Sequence, residues 1–301
     1  MINEMTESET FNQHRERLFA IAYRMLGSVH DAEDIVQEAY LRWSRLDHEM
    51  VENPQALLCT MVTRMSIDDL RSARKRRETY VGEWLPEPLV GDASSASDNI
   101  ALAESLSVAF LLMLERLNPV ERAALLLREV FDYSYSDMSA ILEKSEDNCR
   151  QIVRRAKTRV QRTSSTHQAA EGASERLLES FMVATQTGEL NTLVSLLAQD
   201  ATLHSDHGGK AQAAKRTIFG AEKIARFFIG IATRLMPENP SIRFVTINGA
   251  PGMISYSGQE PVTAFSVEIV DGKIQRVFVV RNPDKLERLP GPSGTASPTI
   301  T

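Results

Sequence analysis

The 301-residue chain has few cysteines and no long apolar run. Its two cysteines, Cys59 and Cys149, form no C-x-x-C pair, so the sequence predicts neither a disulfide framework nor a zinc site. Each is predicted to be a small core residue. No apolar run approaches the length of a membrane span, and the polar N-terminus lacks the apolar core of a signal peptide. These absences predict a cytoplasmic protein with no membrane partner.

Charge is distributed unevenly along the chain. The formal net charge of −6 argues against a general nucleic-acid coat. Basic residues nevertheless gather at residues 71–77 and 150–162, and acidic residues gather at residues 31–38. The sequence therefore predicts separate basic and acidic faces.

Apolar residues recur at helical spacing in two blocks, separated by a stretch rich in serine, alanine and aspartate. Gly27-Ser28 and Asn53-Pro54 are the strong breakers inside the first block. The predicted parts are a helical module at residues 8–80, a linker at 81–103, a second helical module at 104–163, an α+β domain at 174–287 and a disordered tail at 288–301.

The α+β domain is predicted to pack helices on one face of a sheet. Asp271-Gly272 lies between two alternating runs and predicts a tight hairpin. Helices followed by an antiparallel meander are typical of this fold class. The predicted helices span residues 175–186, 189–198 and 221–235, and the predicted strands span residues 243–247, 263–269 and 273–280.

Residues 31–43 form an amphipathic helix with a concentrated negative face. One side holds Ala32, Ile35, Val36, Ala39 and Trp43, and the other holds Asp31, Asp34 and Glu38. Like charges at helical spacing cost a few tenths of a kcal/mol per pair, so a basic partner explains them better than stability does. A merely solvated face is the alternative, and charge alone favours it.

A second helix, residues 57–78, ends in a burst of arginine and lysine. A basic helix end of this kind can lie along phosphates, where it releases counterions and gains affinity that salt weakens. A surface helix without a partner is the alternative. Four consecutive basic residues with no acid between them make that alternative the weaker one.

Residues 135–142, a turn at 143–145 and residues 146–160 have the lengths of a DNA-reading helix-turn-helix. Ser145 suits the N-cap of the second helix. Asn, Gln and Arg side chains suit base edges, whereas the basic residues further along are better placed for phosphates. The candidate DNA-binding residues are Asn148, Arg150, Gln151, Arg154, Arg155, Lys157 and Arg159. The alternative is an amphipathic helix with a basic solvated face.

The segment Asp31 to Ala39, DAEDIVQEA, resembles the polymerase-binding helix of region 2 in extracytoplasmic-function sigma factors. The resemblance implies that Asp31, Asp34 and Glu38 dock on the β′ clamp of core RNA polymerase. It also implies that the basic helix engages the opened minus-ten element of promoter DNA through Arg64, Arg71, Arg74, Lys75, Arg76 and Arg77. Many family members have asparagine where this chain has Arg64, which puts details of base preference in doubt.

The helix-turn-helix, preceded by residues 117–129, resembles region 4 of the same family. That resemblance implies that residues 148–159 read the minus-thirty-five element, and it adds the β flap of the polymerase as a partner. The implied fold has two all-α modules, a region 2 bundle and a region 4 helix-turn-helix, followed by the α+β domain.

Three short motifs are the linker motif YVGEWLPEP at residues 80–88, the glycine-rich motif DHGGK at residues 206–210 and the terminal motif NPDKL at residues 282–286. They resemble those of a family subgroup that carries a fused SnoaL-like domain of the nuclear transport factor 2 superfamily, a cone-shaped α+β fold. Trp84 and two prolines make the linker stiff and apolar, so it should pack on something. His207 stands where a glycine is commoner. The residues expected to make regulatory contacts are Trp84, Pro86, Glu87 and Pro88 of the linker, Asp206, His207, Gly208, Gly209 and Lys210, and Asn282, Pro283, Asp284, Lys285 and Leu286.

The leading interpretation is a sigma factor regulated in cis by its third domain, without cofactor or metal. One alternative is a sensor that binds a small molecule in the SnoaL-like pocket. A weaker alternative is an isomerase or cyclase with His204, Asp206 or His207 as a general base. We expect no enzymatic activity, because the sequence places no second acid or oxyanion partner and this fold hosts many proteins that are not enzymes.

Overall fold

A computed structural model describes residues 7–91, 105–160, 173–234 and 241–292, without the side chains of residues 49, 73–78 and 173. The chain divides into two compact units. The helical unit comprises Met1–Thr79, Ile100–Leu106 and Phe110–Ser164, and the C-terminal unit comprises Tyr80–Asn99, Ser107–Ala109 and Ser165–Thr301. The linker predicted at 81–103 therefore belongs, as far as it is described, to the C-terminal unit.

Up to residue 160, the regular elements that the structure describes are helices, apart from one short strand. Its helices are α1 (Glu7–Leu26), α2 (Val29–Trp43), α3 (Pro54–Glu78), α4 (Val108–Leu114), α5 (Pro119–Glu129), α6 (Tyr135–Leu142) and α7 (Glu146–Val160). Among the described residues, no helix is long and apolar enough to cross a membrane.

The breakers seen in the sequence are helix boundaries in the structure. Gly27 has a φ of 66°, which ends α1, and the Ser28 hydroxyl caps α2 by accepting a hydrogen bond from the Asp31 amide at 3.1 Å. The Asn53 side chain accepts from the Ala56 amide at 3.0 Å and caps α3 in the same way. The first block is helical, as predicted, and its helices α1, α2 and α3 pack around fully buried Trp43 and Tyr23.

The helix-turn-helix has the predicted boundaries. Glu143 closes α6 in the left-handed conformation with φ 53°, and Ser145 accepts from the Asn148 amide at 3.3 Å to cap α7. Cys149, Val153 and Ala156 form the buried side of α7. Both cysteines are free and buried, as predicted.

The C-terminal unit combines three helices with one mixed sheet. The helices are α8 (Ala173–Thr187), α9 (Leu190–Leu196) and α10 (Ala221–Arg234). The strands are β1 (Val90–Gly91), β2 (Leu197–Asp206), β3 (Ile218–Phe219), β4 (Ser241–Ile247), β5 (Ala250–Ser257), β6 (Glu260–Val270) and β7 (Lys273–Val280). Their order in the sheet is β1-β4-β5-β6-β7-β2-β3.

Strands β4 to β7 form an antiparallel meander, and Asp271-Gly272 makes its last turn as predicted. Strand β5 was not among the predicted strands. Two further features differ from the prediction. Strand β2 pairs in parallel with β7, and strand β1 of the linker adds to β4 at the sheet edge. The linker is therefore a structural part of the C-terminal sheet.

Helices and linker cover opposite faces of this sheet. On β6, Phe265 and Val267 point into the core shared with the helices. Their neighbours Ala264 and Ser266 line a small cavity together with Pro86 and Pro88 of the linker. Because strand side chains alternate between faces, the linker prolines lie on the side opposite the helices.

The tail begins later than predicted. The Tyr256 hydroxyl donates to the Pro290 carbonyl at 2.7 Å, and the Arg243 guanidinium donates to the Gly291 carbonyl at 3.1 Å. Residues 288–292 are therefore held against β4 and β5, which corrects their assignment to a disordered tail. Residues 293–301 lie outside the described part.

Candidate functional site

The acidic face of α2 forms as predicted. Ala32, Val36 and Ala39 are buried, whereas Asp34 and Glu38 are exposed and Asp31 is half-buried. Glu38 pairs with Arg42 at 2.8 Å on the surface, an interaction of small net energy. The carboxylates of Asp34 and Glu38 are accessible to a partner.

An apolar neighbour of this face was missed in the sequence. Leu41, three positions after Glu38, is 42% exposed, and Met50 is 81% exposed. The sequence assigned Leu41 to neither face of α2, because the amphipathic pattern predicts only an apolar buried side and an acidic side. Exposed apolar groups beside charges are typical of protein interfaces.

Arg64 lies in a place that the sequence did not indicate. Its guanidinium reaches α6 and donates to the carbonyls of Ile141 at 2.9 Å and Ala140 at 2.8 Å. It also forms an ion pair with Glu143 at 2.9 Å. Further along α3, Arg71 is exposed and pairs with Asp68 at 2.8 Å. The side chains of Arg74, Lys75, Arg76 and Arg77 lie outside the described part.

Helix α7 divides its candidate residues into two groups. Arg150 is tied to Glu146 and Asp147 and lies 5.0 Å from the centre of the Tyr135 ring. Lys157 pairs with Glu129 at 2.6 Å, and Arg159 pairs with Glu121 at 2.5 Å. The side chains that remain exposed without an ion pair to any described residue are Asn148, Gln151, Arg154 and Arg155.

In the C-terminal unit, the three motifs meet at the fully buried carboxylate of Asp206. Its Oδ1 accepts from the Tyr80 hydroxyl at 2.5 Å and the Gly208 amide at 3.1 Å. Its Oδ2 accepts from the Leu85 amide at 2.9 Å and from Lys285 Nζ at 2.7 Å. We call these five residues the Asp206 cluster. It joins the linker, the glycine-rich motif and the terminal motif.

Aromatic and backbone groups complete the surroundings of Lys285. Its Nζ also donates to the Leu85 carbonyl at 2.5 Å and lies 4.3 Å from the centre of the Trp84 ring. Asn282 donates to the Tyr80 hydroxyl at 2.8 Å. Burial, with the hydrogen bond to Asp206, raises the pKa of Tyr80, so its hydroxyl stays protonated and donates to the carboxylate.

The glycines of the motif are fixed by close approach. Gly208 has a φ of 55°, and a Cβ there would lie 2.5 Å from the Asn282 amide nitrogen. His207 is buried, and its Nδ1 accepts from the Gly209 amide at 3.0 Å. Lys210 and Asp284 form an exposed ion pair at 2.6 Å that again joins two motifs. Gly208 and Gly209 therefore form a turn in the structure.

The linker is held at two more points that the sequence did not indicate. Glu83 contacts His204 Nδ1 at 2.7 Å and accepts from Thr217 at 3.2 Å. Asn248 accepts from the Leu89 amide at 3.1 Å, and its own amide donates to the Leu89 carbonyl at 2.8 Å. No local signal in the sequence pairs residues so distant along the chain.

The interior of the C-terminal unit is filled with aromatic side chains. The ring of Phe181 packs 5.2 Å from Phe228 and 5.9 Å from Phe265, centre to centre. On the opposite sheet face, the cavity beside Pro86 and Pro88 has a volume of about 10 Å³, which is room for about one water molecule. Asp206, a candidate general base, is occupied by four hydrogen bonds. These observations weigh against the isomerase alternative.

Comparison with known proteins agrees with this architecture. Residues 10–76 match the family model of sigma-70 region 2, and residues 107–160 match that of sigma-70 region 4. The chain is 38% identical over 315 aligned positions to the ECF RNA polymerase sigma factor SigJ of Mycobacterium tuberculosis, covering 98% of this chain and 97% of that protein. It is 28% identical to the probable ECF RNA polymerase sigma factor SigI of the same organism, covering 94% and 95%.

The crystal structure of Mycobacterium tuberculosis SigJ is similar to this structure with a TM-score of 0.74 at 32% identity, covering 92% of this chain and 97% of that one. The two helical modules thus define a sigma-type initiation factor. The chain belongs to the extracytoplasmic-function family of RNA polymerase sigma factors. It directs promoter-specific transcription initiation, and its two sigma regions imply binding to core RNA polymerase and promoter DNA. The expected fold class, two all-α sigma regions followed by an α+β domain, is confirmed.

Proposed function

We propose that the C-terminal domain regulates this sigma factor in cis by holding the linker that follows region 2. The observation that carries the proposal is the Asp206 carboxylate, which binds linker residues Tyr80 and Leu85 on one side and Lys285 on the other. A linker that is part of a sheet cannot follow the polymerase surface freely. Release of residues 80–91 would change which arrangements of the sigma regions are populated.

In vitro transcription with core RNA polymerase tests the proposal as a whole. The full chain is compared with a Lys285→Ala variant, which removes the cation bound to Asp206. We expect initiation by both and a changed output from the variant. Absence of initiation by both would overturn the residue assignments in the sigma regions, whereas equal output would overturn the regulation alone.

We propose that Asp31, Asp34 and Glu38 on α2 dock on the β′ clamp, and that region 4 contacts the β flap. A double charge reversal, Asp34→Lys with Glu38→Lys, is expected to weaken binding to core polymerase about tenfold, because like charges then face each other across the interface. Titration of labelled sigma factor with core polymerase measures this effect. Glu179→Lys together with Glu175→Lys on α8 is the matched control, and equal affinities of both double variants would contradict the assignment.

We propose that α7 reads the minus-thirty-five element and that the basic end of α3 engages the minus-ten element. Arg154→Ala is expected to lower promoter affinity by about 1–3 kcal/mol, since a bidentate arginine contact to a base is of that size. The matched control is Arg226→Ala, another exposed helical arginine. Electrophoretic binding assays of the holoenzyme on a promoter selected by run-off transcription compare the two. Equal binding by both variants would remove Arg154 from the reading face.

A further inference from the structure

Within the helical unit, Arg64 links region 2 to the helix-turn-helix of region 4. All three guanidinium nitrogens are engaged: Nε and one Nη with the carbonyls of Ile141 and Ala140, and the other Nη with Glu143. These partners lie 76 to 79 positions further along the chain. The contact therefore joins the two sigma regions and nothing local.

The acceptors are groups that a helix leaves unsatisfied. The last carbonyls of α6 have no partner within the helix, and a cation placed there also meets the negative end of the helix dipole. Glu143, which closes α6 at φ 53°, adds a carboxylate to the same point. Arg64 thus supplies, from region 2, the C-terminal cap of the first helix of the helix-turn-helix.

A second set of contacts lies beside this cap. Arg17 of α1 donates to the Phe131 carbonyl at 3.2 Å and lies 5.4 Å from the centre of the Tyr133 ring. Arg122 of α5 is buried and donates to the Met25 carbonyl at 2.6 Å. The same loop covers Cys59 of α3, whose thiol is fully buried and whose pKa is raised by burial, with Tyr133 as its neighbour. Closure of the two regions therefore shields a thiol.

We infer that Arg64 is a latch that holds region 2 and region 4 together in the polymerase-free chain. The inference deepens the proposed function. It rests on that function in one respect, namely that Arg64 engages the minus-ten element of promoter DNA when the sigma factor is at work. In the closed arrangement three of the five N–H donors of this guanidinium, one on each nitrogen, bind α6 and Glu143. Engagement of promoter DNA by Arg64 therefore competes with closure by the latch, and we expect opening to precede full DNA binding.

The thiol of Cys59 gives a readout that needs neither DNA nor polymerase. The full-length chain is treated with a thiol reagent under native conditions, and the labelled cysteine is identified by mass spectrometry. Arg64→Ala is expected to raise the labelling rate of Cys59 about tenfold, because several hydrogen bonds to a charged group are lost. The rate at Cys149, buried within the helix-turn-helix itself, should stay unchanged.

Arg42→Ala is the matched control. Arg42 is an exposed arginine of region 2, and its ion pair with Glu38 at 2.8 Å stays within α2. That pair does not join the two regions, so the control should label Cys59 at the wild-type rate. A second opening variant, Glu143→Lys, places a like charge against Arg64 and leaves the arginine itself in place. Far-ultraviolet circular dichroism identifies a variant that fails to fold.

The outcomes separate the latch from the proposed function. Faster labelling of Cys59 in both Arg64→Ala and Glu143→Lys, with the control unchanged, supports the latch. Wild-type labelling in Glu143→Lys, or equal labelling in Arg64→Ala and Arg42→Ala, overturns it. The proposed function is tested apart from this, since loss of initiation on a promoter would concern DNA and polymerase contacts and would leave the labelling result standing.

Discussion

Asp206→Ala is expected to detach residues 80–91 from the C-terminal domain and to destabilise their docking by about 3–5 kcal/mol, because it breaks a buried ion pair from one side. The carboxylate is fully buried, and it accepts hydrogen bonds from four different residues. Its cationic partner Lys285 has a side chain only 12% exposed. Without Asp206, the ammonium group would lose its ion pair with this carboxylate while keeping the Leu85 carbonyl and the aromatic rings as neighbours.

Amide hydrogen exchange in the full-length chain measures the detachment of residues 80–91 at individual backbone amides. The amides of Leu85 and Leu89 donate to Asp206 and Asn248 and should be protected in the wild type. In Asp206→Ala both should exchange faster, and a protease should cut the linker sooner. The same variant should alter transcription output if the docked linker is regulatory.

The matched control for this experiment is Asp284→Ala. Asp284 also pairs with a lysine and also joins two motifs, but both side chains of the pair are more than half exposed. Exposed pairs contribute about 0–1 kcal/mol, so linker exchange should stay close to the wild-type rate. Equal protection of Leu85 in both variants would show that the carboxylate does not hold the linker.

Local signals were sufficient where the structure depends on local interactions. The helix-turn-helix was predicted with its turn because Ser145 caps α7 and because the buried stripe through Cys149 and Val153 has helical spacing. The hairpin at Asp271-Gly272 was predicted for a similar reason, since both residues adopt positive φ. The exposed face of α7 followed directly from the same periodicity.

Strand β5 and the first residues of β2 were missed for different reasons. Strand β5 contains Pro251 and Gly252, which argue against a strand when read alone. In the structure Pro251 pairs only with Thr246 at the end of the strand, and a Cβ on Gly252 would lie 2.5 Å from the Phe265 carbonyl, so only glycine fits there. The first residues of β2 were predicted as the end of a helix, because their pairing with β7 is not visible locally.

The sequence predicted which motifs belong to the site, but it did not predict how their residues are arranged in space. The three motifs were expected to make regulatory contacts, but no pattern shows that a single carboxylate binds all of them. Arg64 is the sharper example, since the family resemblance assigned it to promoter DNA. Its actual acceptors are backbone carbonyls, which every sequence contains and which no sequence pattern distinguishes.

The interior of the C-terminal domain yields the second large expected effect. Phe181→Ala should destabilise that domain by about 3–5 kcal/mol, through lost burial and the cavity that remains. Phe181 is fully buried between α8, α10 and the sheet, and it contacts both Phe228 and Phe265. Urea unfolding of the full-length chain, monitored by circular dichroism, measures the change in the free energy of unfolding.

Phe219→Ala is the matched control, because the same side chain there is 63% exposed and its loss should change stability by less than about 0.5 kcal/mol. The comparison also addresses the small-molecule alternative. Since Phe181, Phe228 and Phe265 fill the space between helices and sheet, an apolar ligand such as benzene should stabilise Phe181→Ala and not the wild type. Stabilisation of the wild type by the same ligand would show that the domain opens a pocket of its own, and would return ligand sensing to consideration.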